Sequence, residues 1–283
     1  MNRIEMKTKR TILSVPVIFL LAVSIVLTSC TGKKGQSSDS GSFTADDSEQ
    51  SKDKILKEMT EYPLPTAFEV TTLLIKAGAS YILDLSNPVS NVDKYINLKS
   101  KALNLGVFGA DLSYAATYNQ SQETIQFLKV TSQLVDELQV SSGFNQTLVE
   151  DVERNIDNVD SLINIISDSF YDTYKQLQEN HQDEVSVLVM AGSWIEAIYI
   201  TSQISMLSQN NKELVSIIAQ QDPSLTKLLE IMEPVRESSM IKDIYTDLKK
   251  IKEIFDQAED TFTGKQLEEL TRQTESLRNK IVA

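Results

Sequence analysis

The chain has 283 residues, with 27 Lys and Arg against 40 Asp and Glu, a formal net charge of −13, one histidine and one cysteine. An acidic balance of that size repels nucleic-acid phosphates and anionic head groups, so neither is an expected partner through simple electrostatics. One cysteine excludes an intramolecular disulfide, and one histidine leaves His-based metal sites and triads almost nothing to work with.

The first stretch with a readable purpose is 11–30. Arg3, Lys7, Lys9 and Arg10 precede an apolar run that closes on Leu27-Thr28-Ser29-Cys30. A charged start, an apolar middle and small residues before a cut point make a secretory signal. The competing reading, an uncleaved transmembrane helix, needs about 20 apolar residues, whereas 12–27 is shorter and is interrupted by Pro16. Leu-Thr-Ser-Cys resembles the lipobox of bacterial lipoproteins. That resemblance implies acylation of Cys30, cleavage before it over 1–29, and attachment to a membrane through the acyl chains. Losing 1–29 removes four basic residues and one acidic one, leaving 23 against 39, a net of −16.

The stretch 30–52, rich in Ser, Gly, Asp and Gln, cannot bury enough apolar surface to order itself and is expected to be a tether. As a flexible coil it would span roughly 25 Å. Thr31 is not the aspartate that resembles an inner-membrane retention signal, and no acidic cluster directly follows Lys33-Lys34. The resemblance therefore implies the outer membrane, facing the periplasm.

The remainder, 53–283, is expected to be one all-α domain, a bundle of about eight helices with two central ones largely buried. A short helix over 53–59 is broken by Pro63 and Pro65. Thr66 to Glu69 is a capping box for a helix that ends near Gly78. Further turns to Leu85 stop at Asn87-Pro88.

Ser90 to Asp93 predicts the start of a long helix over 90–119 whose apolar residues wrap most of the way round, the pattern of a buried helix. Gly106 and Gly109, with Ala102, Ala110, Ala115 and Ala116, point to close approach by a neighbour. A one-striped helix is predicted over 122–140, stopped by Ser141-Ser142-Gly143. Another is predicted over 147–179, opened by the box Thr147 to Glu150 and bent among Asn155, Asp157 and Asn158. Asn180-His181-Gln182 is the connection, with His181 solvated.

From 183 to 207 the chain is apolar almost all round, which marks the central helix, paired with the one around Phe108. Alternating β-branched residues at 185–189 and 70–75 also allow a small strand pair. The lack of a hairpin signal favours helix. Asn210 with Glu213, then Asp222-Pro223, start two further helices, and Pro234 ends the second. Ile241, Ile244, Leu248, Ile251 and Phe255, then, after the box Thr263 to Gln266, Leu267, Leu270, Leu277 and Ile281 with Thr274 in one slot, describe two antiparallel hairpin helices. Their stripes either close the bundle or meet a partner, and closure is the favoured outcome.

No Walker loop, GxSxG or HExxH is present, so no enzymatic activity, cofactor or metal is expected. Two carboxylates stand out. Asp111 lies in the first apolar helix near Tyr114 and Tyr118, and Glu196 in the second near Trp194 and Tyr199. A carboxylate on a buried helix must be hydrogen-bonded or neutralised. If the helices pack together, Asp111, Tyr114, Trp194, Glu196 and Tyr199 could line a pocket for a small polar or cationic ligand. The structural alternative is that both acids reach the rim or are tied down by tyrosine hydroxyls.

The stretches 61–66, 104–112 and 191–196 are similar to a family of uncharacterised helical lipoproteins of Gram-negative bacteria. That resemblance implies no particular activity. The expectation is an envelope lipoprotein, anchored by acyl chains on Cys30, that binds an envelope protein partner or supports an assembly. A periplasmic small-ligand receptor is the alternative, and a hydrolase comes third.

Overall fold

The computed structural model describes residues 67–140, 146–208, 212–258 and 261–283. The expected export signal, Cys30, the expected tether, the helix expected over 53–59, the expected Thr66 cap and the expected Ser141-Ser142-Gly143 stop lie outside the described residues. Those described form ten α-helices with no strand among them, so the chain is all-α and both candidate strand segments are helical. The helices are α1 Ala67–Lys76, α2 Leu98–Thr117, α3 Ser121–Glu137, α4 Gln146–Arg154, α5 Val159–Glu179, α6 Asp183–Leu207, α7 Lys212–Ala219, α8 Asp222–Met232, α9 Lys242–Asp256 and α10 Gly264–Val282.

The core is the pair α2 and α6. Every residue of α2 from Ala102 to Thr117 is buried, because the apolar residues occupy all sides of the helix and each side has a neighbour. Those neighbours are α6, α3, α1 and α5, with α10 closing on α6. By length and hydropathy α6 could cross a membrane, yet 89% of its apolar window is buried within the fold. It is a core helix here.

Glycine sets how close the central pair comes. A β-carbon on Gly106 would lie 2.0 Å from the Val189 carbonyl oxygen, and one on Gly192 would lie 2.0 Å from that of Leu103. The backbones therefore touch without intervening side chains. Gly109 serves a different neighbour, admitting the ring of Phe170 from α5.

Two expected boundaries move. The helix expected from residue 90 begins at Leu98, because Asn97 accepts from the Ser100 amide at 2.9 Å and the Ser100 side chain returns to the Asn97 backbone. Ahead of it, Val89–Lys94 forms a 3-10 turn. The single helix expected over 147–179 is two helices, since Asn158 turns extended and caps α5 through the Ser161 amide at 3.1 Å. A bend was anticipated there, but a capping side chain satisfies the amides of a new helix start better than it fits a helix interior.

Four helices end alike. Gly78, Asn119, Gln139 and His181 all have φ between 55° and 77°, and the amide after each bonds back five residues, as Gln182 N does to the Leu177 carbonyl at 2.8 Å. This is the left-handed cap that satisfies the last carbonyls of a helix. His181 is exposed and serves as such a cap.

The hairpin α9–α10 closes the bundle with its own stripes. Ile241, Ile244, Leu248, Ile251 and Phe255 are buried, as are Leu267, Leu270, Thr274, Leu277 and Ile281. Thr263 caps α10 with Gln266 in a reciprocal box, as the sequence indicates.

Candidate functional site

The segment 79–95, between α1 and α2, runs over the central pair with two 3-10 turns and no α-helix. An irregular backbone beside a core exposes amides and carbonyls that must find partners. Here the partners are polar side chains on the buried helices. Tyr118 donates its hydroxyl to the Ala79 carbonyl at 2.9 Å. The Ile82 amide donates to the Tyr114 hydroxyl at 2.8 Å, and the Asn87 amide donates to Asp111 Oδ2 at 3.0 Å. Arg278 Nη2 donates to the Leu85 carbonyl at 3.3 Å. Farther along, Asn87 Nδ2 donates to the Tyr95 hydroxyl at 2.9 Å, and that hydroxyl donates to the Val282 carbonyl at 3.3 Å.

Beneath the segment lie three charged side chains from three helices. Asp111 and Glu196 are 0% exposed and Arg278 is 8% exposed. Arg278 grips Glu196 with both sides of its fork, Nε to Oε2 at 3.0 Å and Nη2 to Oε1 at 3.1 Å. Its guanidinium carbon stands 4.6 Å from the centre of the Tyr199 ring, a cation–π contact in a desolvated setting. A planar fork matches a carboxylate as an ammonium cannot.

Burial pushes the Asp111 carboxyl well above the usual carboxylate range and the neighbouring Glu196 raises it further, while Arg278 and the Asn87 amide oppose that rise. Burial also raises Glu196, against the direct pull of Arg278. Burial pushes the Tyr114 hydroxyl up to about 12, so it stays neutral. Asp111 Oδ1, the Ser86 hydroxyl and the Tyr81 hydroxyl have no hydrogen-bond partner. Ser86 neighbours both of the others and favours their ionised forms.

Of the five residues expected to line a pocket, four belong to this region. Asp111 and Tyr114 hold backbone groups of the segment, Glu196 holds Arg278, and Tyr199 lies under the guanidinium. Trp194 does not join them. Two positions from Glu196 is about 200° round a helix, and the indole packs instead against Phe255, ring centres 6.3 Å apart. Arg278 was missed by the sequence reading, although it lies four residues after Thr274 and three before Ile281, within the buried register of α10. A charged residue in such a slot signals a buried partner.

What the arrangement can do follows from how its groups are occupied. Glu196 is engaged on both oxygens by Arg278 and lies beside Asp111. Among the described residues, no group of three or more His, Cys, Asp or Glu is placed to hold a metal ion. The cluster ties 79–95 to α2, α6 and α10. No known protein family matches the chain. No curated protein and no solved structure matches it.

Proposed function

We propose that the chain is a cell-envelope lipoprotein, exported on 1–29 and acylated at Cys30. In this reading it is held by those acyl chains at the outer membrane, facing the periplasm. Its helical body acts by binding an envelope protein partner or supporting an assembly, without catalysis. The observation that carries the reading is Leu27-Thr28-Ser29-Cys30 standing directly behind a basic and apolar leader. A tether of low apolar content and a strongly acidic body agree with a soluble domain kept beside a membrane.

The binding role has its support in apolar side chains left exposed. The hairpin stripe of α9 and α10 is spent on the core, so it offers nothing to a partner. Among the described residues, some exposed apolar side chains are sequence neighbours of Leu74, Leu85 and Ile204, members of the second apolar cluster. They are Ile75, Leu83 at 58% exposure, Met206, and Leu207 at 64%, while Ile96, Leu98 and Tyr171 are exposed elsewhere in the chain. A docking surface needs apolar groups left in water, and these positions are the ones to probe for it.

Two measurements test the two halves. Cys30→Ser should move the protein out of the membrane fraction. Recovery of that variant with membranes at the native size would remove the anchor. Photo-crosslinking residues at Leu83 and Leu207 in intact cells should yield an adduct with another envelope protein. Uncrosslinked protein at both positions would leave the binding role without its surface.

A further inference from the structure

We propose that Asp111 and Glu196 hold one proton between them in the folded chain, and that this proton keeps segment 79–95 latched onto α2 and α10. Two carboxylates at 0% exposure face one guanidinium at 8% exposure. If both acids were ionised, one negative charge would be buried without a counterion, which costs several kcal/mol. Arg278 is already committed to Glu196 through two donors and to the Leu85 carbonyl through one of them.

Asp111 is the member left short. Its Oδ2 accepts one amide proton, from Asn87, and its Oδ1 has no partner. As a carboxylate it would have the Asn87 amide and the neighbouring Ser86 hydroxyl to serve it, and no cation of its own. As a carboxylic acid it gains a hydrogen to give, and Glu196 lies close enough for Asp111 to act on it as a hydrogen-bond donor. The cluster then reads as neutral acid, carboxylate and guanidinium, with no net charge.

Every titratable or charged neighbour is compatible with this count. From α2 comes Tyr114, from the segment Tyr81 and Tyr95, from α6 Tyr199 and from α10 Arg278. Glu123 on α3 acts on Tyr81, and Glu275 on α10 acts on Tyr199. The tyrosines are raised by burial and stay neutral. The two outer acids add negative potential, which favours keeping the proton. Arg278 is the one cation among these groups.

The link to the segment is direct. The Asn87 amide and the Leu85 carbonyl flank Ser86, and the cluster holds both, one by Asp111 and the other by Arg278. When Asp111 ionises, its charge competes with Glu196 for the guanidinium, and a guanidinium drawn between two carboxylates gives up the Leu85 carbonyl. The folded state binds this proton more tightly than the unfolded chain. Stability is therefore full below the ordinary carboxyl range near pH 4 and declines as pH rises towards the elevated value of Asp111, by up to tenfold in the unfolding constant per pH unit.

The test is thermal unfolding of the full chain between about pH 6 and about pH 9, below the ordinary range of tyrosine, beside Asp111→Asn. The variant fixes the neutral shape, with its amide donating where the acid did. The native midpoint should fall with pH and that of the variant should stay level. Protection of the Ile82 and Asn87 amides against exchange should fall with pH before that of Val189 in the core. Parallel pH slopes in the two proteins would overturn the shared proton, and even loss of protection would overturn the latch. Should the variant fail to fold, the carboxyl carbon resonance of Asp111 in the native protein decides, because an ionised shift at about pH 7 contradicts the proposal.

Discussion

Gly106→Ala and Gly192→Ala are each expected to cost about 4 kcal/mol or more, a large share of the roughly 5–15 kcal/mol that holds an ordinary domain folded. The added methyl at Gly106 meets the Val189 carbonyl oxygen at 2.0 Å and the Ser193 amide at 2.6 Å. At Gly192 it meets the Leu103 carbonyl oxygen at 2.0 Å. Non-bonded heavy atoms settle at about 3.5–4.0 Å, and a helix backbone cannot step aside as a side chain can. Separating α2 from α6 would open gaps along a helix packed on every side, forfeiting contacts far from the substitution. Gly109→Ala should be milder, since its nearest contacts are side-chain atoms of the Phe170 ring and Phe170→Leu should relieve it. Gly264→Ala has open space around it and serves as the control. Circular dichroism melts read all four, and a near-native melt for Gly106→Ala would mean that the helices cross elsewhere.

Arg278→Met carries the second large effect, an expected loss of about 3–5 kcal/mol, the usual cost of removing one partner from a buried pair. Glu196 would be left without a counterion and the Leu85 carbonyl without a donor. Arg278→Lys should not restore the native stability, because a point charge cannot span both carboxylate oxygens. The double variant Arg278→Met with Glu196→Gln should recover part of the loss, because it removes the stranded charge along with the pair. Urea unfolding measures each step. A cost below about 1 kcal/mol for Arg278→Met would match an exposed pair and contradict the buried geometry.

Both effects bear on how far the sequence could be read. The pairing of the two apolar helices was legible, because an all-round apolar helix has to be interior and a glycine inside it needs a reason. The hairpin at the end was legible from its three-four rhythm and the Thr263 box. The start of α2 was not, because residues 90–94 carry plausible cap chemistry that the chain uses for a 3-10 turn, while Asn97 makes the real cap. The break at Asn158 was visible only as a place to bend. In the site, Asp111 and Glu196 declared themselves as carboxylates among apolar neighbours. Arg278 is 82 residues from Glu196 in sequence, and nothing local ties the two. Trp194 attracted attention by lying near Glu196 in the chain, yet helical geometry sends it to the opposite side. The backbone needs of 79–95 were invisible for a related reason. Which carbonyl of an irregular segment lacks a partner depends on where the segment runs, and only the fold fixes that.

The proposed envelope role of this helical body depends on the proposed acyl anchor. The most direct measurement is mass spectrometry of the mature protein recovered from cell envelopes. The expected result is a chain that begins at Cys30 and carries acyl chains on its thiol and new amino terminus. A mature chain beginning at any other residue, or a Cys30 with its thiol unmodified, would contradict the proposed anchor and the envelope role built on it.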